Sequence, residues 1–230
     1  MTLRERAVGL TEIMDDPGCD PARLAATYRR FGMVNRLVSG WGAVYRSHLR
    51  PALRNLGRPA RVLDLGSGGG DLLARLDALA RKDAIAVDWT GADPDPRAHE
   101  AAMRRRSSSI RFVHADSTAL LEAGERFDVV VSNHVLHHLS PDALAGFARD
   151  SLALSSGIVL HSDIERGHLA YGLYAAGVLP LSPGTFLYTD GLRSIRRSYR
   201  ADELAAALGE PWRVERPVAF RVLATGVGRA

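Results

Sequence analysis

The sequence predicts an α/β fold in which helices flank a mostly parallel β-sheet. Apolar strand segments alternate with helical segments through the middle of the chain, which is the rhythm of βαβ units. One segment, Phe127–Ser132, is a nearly continuous apolar run, as expected for a strand buried on both faces. A chain of 230 residues, with 46% hydrophobic and 24% charged residues, is long enough to bury such a core in one compact domain.

Seven strands and four helices follow from the pattern along the chain. The predicted strands are Ala60–Leu65, a segment that ends at Asp93, Ile110–His114, Phe127–Ser132, Gly157–His161, Arg213–Pro217 and Ala219–Thr225. The predicted helices between and after them are Asp71–Arg81, Pro96–Arg106, Asp142–Leu152 and Ala201–Leu208.

Two segments do not follow this rhythm. In residues 1–56, apolar residues recur at spacings of three and four, which predicts helices. The connection at about 164–199 is too long for a bare loop in a compact domain, so it is expected to have its own structure or a function. We therefore divide the chain into an N-terminal helical segment, 1–56, and a domain, 57–230, that contains this insertion.

The composition excludes several classes of protein. A single cysteine, Cys19, rules out a disulfide scaffold and a cysteine-based zinc site. No apolar run reaches the length of about 18 residues that a membrane span needs, and residues 1–16 lack a signal-peptide core. We expect a cytoplasmic protein. The arginine runs at 104–106 and 193–200 are interpreted as solvated faces, so no nucleic-acid partner is expected.

A glycine loop follows the first predicted strand. It contains Gly66, Ser67, Gly68 and Gly70 and is preceded by Asp64 near the end of the strand. Glycines between a strand and a helix let a ligand approach the backbone closely. The dinucleotide fingerprint would place a third glycine or alanine at the position of Asp71. An aspartate beside the loop disfavours a pyrophosphate and favours a ligand with a cationic ammonium group.

With this loop, three further stretches resemble the class I S-adenosylmethionine-dependent methyltransferases, which have a Rossmann-like fold. They are residues 90–95, 112–117 and 127–139, and they occur in the family's order. The resemblance implies that S-adenosylmethionine is the cofactor. Its predicted ligands are Asp64, Gly66, Ser67, Gly68, Gly70, Asp93, Pro94, Ala115, Asp116, Ser117, Asn133 and His134.

Particular roles within this set follow from the resemblance and from position. Asp93, at the end of the second strand, is placed to accept hydrogen bonds from the ribose hydroxyls. The resemblance assigns the adenine amino group to Asp116, with a backbone contact from Ala115. It places Asn133 and His134 near the methionine part of the cofactor and near the substrate.

The candidate catalytic residues are His134, His137 and His138. A histidine is a suitable base for removing the proton of a hydroxyl acceptor, and the resemblance favours His137 as the residue that faces the substrate. We expect His137 and His138 to point about 100° apart on a helix that starts near Val135. His161, at the end of the fifth strand, is also expected to face the cavity.

The residues after His161 leave two alternatives open. Asp163, Glu165 and Arg166 either bind polar parts of a substrate or pair with each other. No metal site is expected, because the histidines at 134–138 have no cluster of carboxylates beside them in the sequence.

The acceptor is predicted from the two added segments. Both are rich in Leu, Tyr and Phe, and an apolar lid favours a small hydrophobic acceptor. Residues 190–199 look similar to methyltransferases associated with type III polyketide synthases, which implies O-methylation of a phenolic or enolic hydroxyl in secondary metabolism. Arg193, Arg196 and Arg197 there could bind an acidic acceptor or form a solvated face.

Alternatives to this function remain. C-methylation of a quinone-like or polyketide acceptor fits the same core, and so does a non-catalytic cofactor-binding subunit. The helices of 1–56 could pair in a homodimer. A nicotinamide-dependent oxidoreductase is disfavoured because Lys82 is the only lysine and no Tyr-x-x-x-Lys pair exists.

Overall fold

The computed structural model describes residues 3–229, so residues 1, 2 and 230 of the two predicted segments lie outside the described residues. Seven strands form one sheet in the order β3-β2-β1-β4-β5-β7-β6. The strands are β1 Ala60–Leu65, β2 Val87–Asp93, β3 Ile110–His114, β4 Phe127–Asn133, β5 Ser155–Ile164, β6 Arg213–Glu215 and β7 Arg221–Val227. β7 runs antiparallel to β5 and β6, and the other pairings are parallel. The Rossmann-like prediction is confirmed.

Ten α-helices surround the sheet among the described residues. They are α1 Pro21–Val38, α2 Trp41–Val44, α3 Arg50–Arg54, α4 Asp71–Lys82, α5 Pro96–Met103, α6 Ser117–Glu122, α7 Pro141–Leu154, α8 His168–Gly177, α9 Leu187–Arg197 and α10 Ala201–Leu208. A five-residue π-helical turn, Tyr45–Leu49, connects α2 to α3. Each face of the sheet has its own apolar core. Trp41, Leu73 and Trp89 belong to one core, and Leu144 and Trp212 to the other.

Several element boundaries differ from the prediction. The helix expected to end at Arg106 ends at Met103, and α6 had not been predicted. The fifth strand continues three residues beyond His161, to Ile164. The helix expected from Val135 is a short 3-10 turn, Leu136–His138. These last two differences change where the predicted site residues lie.

The N-terminal helices and the insertion after β5 pack against each other. Leu24 and Tyr28 of α1 share a buried cluster with Phe186, and Val34 shares another with Val178 and Leu187 of the insertion. Helix α1 begins after Asp20, whose carboxylate accepts hydrogen bonds from the backbone N–H groups of residues 22 and 23. No helix among residues 3–229 is long and apolar enough to cross a membrane.

Candidate active site

A cavity of about 1300 Å³ opens at the carboxyl ends of the parallel strands. This is where open α/β sheets bind ligands. The glycine loop and the ends of β2 and β4 form one part of its wall, while α1, α8 and α9 contribute apolar side chains to another. All the predicted cofactor ligands except Gly70 line it.

The glycine loop needs glycine for two different reasons. A Cβ on Gly66, which has a φ of +72°, would lie 2.5 Å from Cγ2 of Val135. Gly68 has a φ of +52°, and nothing lies within 4 Å of a Cβ built there. Gly66 therefore allows close packing, whereas Gly68 leaves open space in which a ligand can approach the backbone.

Asp64 is a buried carboxylate without a full set of partners. It lines the cavity with 1% exposure, and its Oδ1 has no hydrogen-bond partner among the described residues. Burial, followed by the charges of Asp71 and Asp93, raises the pKa of Asp64 well above its usual range. A bound ammonium group would supply the missing partner and favour the ionised carboxylate, so Asp64 fits the predicted cofactor.

Asp93 lies at the end of β2 beside the glycine loop. Its Oδ2 accepts a hydrogen bond from Gly68 N at 2.8 Å, and its Oδ1 accepts one from Asp95 N at 2.9 Å. These bonds fix the carboxylate against the loop, and each oxygen keeps a second lone pair for a hydroxyl. The neighbouring Pro94 also lines the cavity.

The next predicted ligands surround the start of α6. Asp116 caps this helix, because its Oδ1 accepts a hydrogen bond from Ala119 N at 2.8 Å. Ser117 donates its hydroxyl to Asp150 at 2.9 Å. Ala115 and both of these residues line the cavity. The role of Asp116 toward adenine stays a prediction.

Asn133 and His134 are held by Arg221, a residue that the sequence did not indicate. The Arg221 guanidinium donates to Asn133 Oδ1 at 2.7 Å, to Ser162 Oγ at 2.9 Å and to His134 Nε2 at 3.0 Å. Burial, followed by the charge of Arg221, lowers the pKa of His134 well below its usual range. The His134 ring is therefore neutral, and its Nε2 lone pair is already engaged.

His137 is buried between two carboxylates. Its Nδ1 lies 2.8 Å from Asp163 Oδ1 and its Nε2 lies 3.2 Å from Glu12 Oε1, while its backbone N–H donates to Asp163 Oδ2 at 2.9 Å. Burial opposes a charge on the ring, but Asp163 and Glu12 outweigh burial and raise the pKa of His137 to about 9. Both ring nitrogens donate in this arrangement, since ionised carboxylates only accept.

His138 lies beside His137 rather than on a different face. The 3-10 turn brings the two ring centroids to 4.2 Å, so the expected divergence of about 100° is wrong for these rings. His138 Nδ1 lies 3.1 Å from Asp15 Oδ2, and its Nε2 lies 3.6 Å from Glu12 Oε1. Glu12 Oε1 also accepts the Ser194 hydroxyl at 2.6 Å.

Comparison with known proteins agrees with this geometry. Residues 62–154 match the family described as methyltransferase domain. A ubiquinone biosynthesis O-methyltransferase of Brucella anthropi is 33% identical over 157 residues, which cover 65% of this chain and 58% of that protein. The same enzyme of a Ruegeria species is 31% identical over 117 residues, which cover 51% of this chain and 46% of that protein. The chain thus spans about half the length of the curated relatives it matches.

Solved structures agree on the fold. A plantazolicin methyltransferase in complex with SAH and a pentazolic desmethyl analogue superposes with a TM-score of 0.61 at 13% identity, over 91% of this chain and 96% of the other. Human N-acetylserotonin methyltransferase in complex with SAM superposes with a TM-score of 0.61 at 14% identity, over 88% of this chain and 55% of the other. Residues 62–154 form a class I S-adenosylmethionine-dependent methyltransferase domain.

His161 lies outside the cavity of the methyltransferase domain. It is fully buried, with Nδ1 2.8 Å from Ser132 Oγ and with its ring against Phe147 and Trp212. Burial lowers the pKa of His161 to about 3. The prediction that it faces the cavity is wrong, because β5 continues to Ile164 and leaves His161 below the edge of the sheet.

The polar residues after His161 pair with partners distant in sequence rather than with each other. Asp163 binds His137, Glu165 binds Arg216, and Arg166 binds Glu203. The second arginine run is not a fully solvated face either. Arg193 donates to the Thr11 carbonyl, and Arg197 donates to the His138 carbonyl.

Glu12 and Asp15 line the cavity beside the histidines but were not among the site residues predicted from the sequence. They lie more than 120 residues before the histidines, at and beside a 3-10 turn, Ile13–Asp15, in a segment without a motif. Asp190 of the insertion accepts hydrogen bonds from Ile13 N and Met14 N, which holds this turn over the cavity.

Proposed function

We propose that this chain transfers a methyl group from S-adenosylmethionine to a hydroxyl oxygen of a small, hydrophobic, phenolic or enolic acceptor. The observation that supports the proposal is the cluster of Glu12, His137 and His138 on the wall of the cavity that also contains the glycine loop. This cavity thus offers a cofactor site and a polar cluster within one enclosed space.

The cofactor half of the cavity has the groups that S-adenosylmethionine requires. Asp64 would hold the ammonium group, Asp93 the ribose hydroxyls and Asp116 the adenine amino group. Gly68 leaves the space in which the ligand meets the backbone. When bound, the cofactor supplies an electrophilic methyl group.

The acceptor half of the cavity is apolar. Side chains of α1, α8 and α9 line it, among them Phe31, Val34, Leu173, Tyr174 and Leu187. Such a surface binds a hydrophobic ring and excludes water, and holding the ring against the methyl group supplies much of the rate of a displacement reaction. The relatives named O-methyltransferases favour oxygen over carbon as the acceptor atom.

The polar cluster would accept the proton of the acceptor hydroxyl. Both ring N–H groups of His137 are engaged by Asp163 and Glu12, so His137 has no free lone pair with which to act as the base first expected. His138 has one nitrogen oriented by Asp15 and keeps Nε2 beyond hydrogen-bond distance of Glu12, at 3.6 Å. This lone pair is free to take a proton.

Two titrations and one incubation test the proposal. Calorimetry with S-adenosylhomocysteine should show micromolar binding that Asp93→Ala abolishes, with NAD as the negative control. The wild type is then incubated with isotope-labelled S-adenosylmethionine and a panel of phenols and pyrones, and NMR of the product locates the new methyl group. A methyl group on carbon would replace O-methylation by C-methylation, and binding without any turnover would favour a non-catalytic subunit.

Location and assembly complete the proposal. The one cysteine is free, which fits the cytoplasmic enzyme of secondary metabolism that we propose. We also propose a homodimer through the N-terminal helices. Light scattering of the purified protein tests it, because a mass near the 24.9 kDa of one chain would refute the dimer.

A further inference from the structure

Three potential metal ligands converge on one point of the cavity wall. Glu12 Oε1 lies 3.2 Å from His137 Nε2 and 3.6 Å from His138 Nε2. The ligand atoms of all three residues lie within 4.8 Å of one another. Glu12 and His137 are buried and His138 is partly exposed, so the point where they meet is enclosed on one side and faces the cavity on the other.

The spacing of these atoms suits a metal ion. Nitrogen and oxygen ligands at about 2.0–2.1 Å from a tetrahedral zinc ion lie about 3.3 Å from each other. The two separations from Glu12 Oε1, 3.2 and 3.6 Å, bracket that value. An ion could therefore enter with small side-chain shifts.

Each candidate ligand also has an outer partner that orients it. His137 Nδ1 lies 2.8 Å from Asp163, and His138 Nδ1 lies 3.1 Å from Asp15. The Glu12 carboxylate accepts the hydroxyl of Ser194. Histidine metal ligands in proteins nearly always donate their other ring N–H to a carboxylate, a carbonyl or water, which fixes the tautomer. Here both histidines direct Nε2 to the same point, and metal binding would release the Nε2 proton that His137 donates to Glu12 in the metal-free protein.

We propose that Glu12, His137 and His138 bind one divalent first-row transition ion, of which zinc is the representative. Two imidazoles and one carboxylate, with open positions toward a cavity, are typical of catalytic zinc and iron(II) sites. Magnesium and calcium prefer sets of oxygen ligands, so this set disfavours them. The carboxylates of Glu12, Asp15 and Asp163 surround this point and would offset the positive charge of the ion. They also offset the charges of two guanidinium groups, because Arg197 pairs with Asp15 and Arg221 acts on Asp163.

The role of the ion toward the acceptor rests on the proposed function. An acceptor hydroxyl bound at an open position of the ion would lose its proton more readily. With the His138 lone pair engaged by the ion, the ion would lower the pKa of the bound hydroxyl, and the released proton would pass to solvent in the cavity. The ion site itself depends only on the three ligands, so it can fail or stand independently of methyl transfer.

Metal titration of the chelator-treated wild type tests the site. We expect one zinc ion per chain by calorimetry, and visible absorption by cobalt(II) that indicates nitrogen ligands in a site of low coordination number. Glu12→Gln and His138→Gln should each weaken zinc binding at least 100-fold. Asp15→Asn should weaken it by about 10- to 100-fold, the usual effect of removing an outer partner. His48→Gln is the matched control, because His48 forms a similar pair with Glu215, at 2.8 Å, away from the cavity.

The folding of each variant is checked by its circular-dichroism spectrum and its thermal unfolding. Equal zinc affinity in the wild type and in folded Glu12→Gln or His138→Gln would overturn the site. If those variants do not fold, an absent cobalt band in the wild type, or unchanged affinity in Asp15→Asn, would overturn it. Zinc binding without methyl transfer would refute the proposed function alone, whereas methyl transfer that persists in chelator, by a protein that binds no zinc, would refute the metal site alone.

Discussion

Replacement of Asp64 by asparagine should stabilise the ligand-free protein and weaken cofactor binding at the same time. Asp64 is buried, its Oδ1 lacks a partner among the described residues, and the charges of Asp71 and Asp93, which raise its pKa, are also negative. Asparagine keeps the shape and removes the charge. Relieving one poorly compensated buried group should raise the free energy of unfolding at neutral pH by about 1–3 kcal/mol.

The affinity for S-adenosylhomocysteine should change in the opposite sense. A hydrogen bond to a charged group contributes about 1.5–3 kcal/mol, so losing the contact between Asp64 and the ammonium group should weaken binding by about 10- to 150-fold. The two effects have one cause, because the carboxylate that the folded protein tolerates poorly is the partner of the ligand's cation. Calorimetry measures the affinity and urea denaturation measures the stability.

The difference in stability between the wild type and Asp64→Asn should depend on pH. The folded-state pKa of Asp64 is raised, so the unfolded chain loses the Asp64 proton first as pH increases. The wild type should therefore lose stability relative to Asp64→Asn as pH rises from about 4, the unfolded value, through the folded pKa. The difference between the two proteins should be small at the acidic end and largest above the folded pKa.

A buried aspartate with partners provides the control for this experiment. Asp77 is 2.7 Å from Arg81 and accepts the Ser109 hydroxyl at 3.0 Å, so Asp77→Asn should destabilise the protein. If Asp64→Asn were also destabilised and bound S-adenosylhomocysteine as tightly as the wild type, the assignment of Asp64 to the ammonium group would be refuted.

Three further substitutions test the loop, the polar cluster and its support. Gly66→Ala should lower the free energy of unfolding, measured by urea denaturation, by about 1–3 kcal/mol, because the added Cβ would lie 2.5 Å from Val135 Cγ2. A free energy of unfolding within about 0.5 kcal/mol of the wild type, as is typical of neutral surface changes, would contradict the packing role. His138→Gln should lower the rate of methyl transfer by about 100- to 10,000-fold with unchanged binding of S-adenosylhomocysteine, and an unaltered rate would remove His138 from the mechanism. Asp163→Ala should lower the free energy of unfolding by about 3–5 kcal/mol, since it leaves the buried His137 ring with only one of its two carboxylate partners. A loss below about 1 kcal/mol in thermal or urea unfolding would show that the pair contributes little.

Most of the predicted cofactor ligands lie together on one cavity wall because the sequence signals that identify them are local. Apolar strands, the glycines that follow the first strand and the aspartates at strand ends are properties of short segments. Parallel strands then place their carboxyl ends at one edge of the sheet. Asp64, Gly68, Asp93 and Asn133 line one cavity for this reason.

The placement of His161 failed for an equally local reason. The predicted strand ended at His161, but β5 continues to Ile164. Three residues move a side chain by about 10 Å along a strand, which is enough to take His161 from the edge of the sheet into the core. Element boundaries are the weakest part of prediction from periodicity.

The sequence by itself determined the order of the βαβ units, the glycine loop and the polar residues at the strand ends, because periodicity and turn chemistry act over a few residues. Only the tertiary structure decided what surrounds the histidines. Glu12 reaches His137 across 125 positions of sequence, and Arg221 reaches His134 across 87. Such pairs form when α9 holds the N-terminal turn over the cavity and β7 pairs with β5. No short segment encodes that proximity, since it arises from the packing of elements that are distant in the chain.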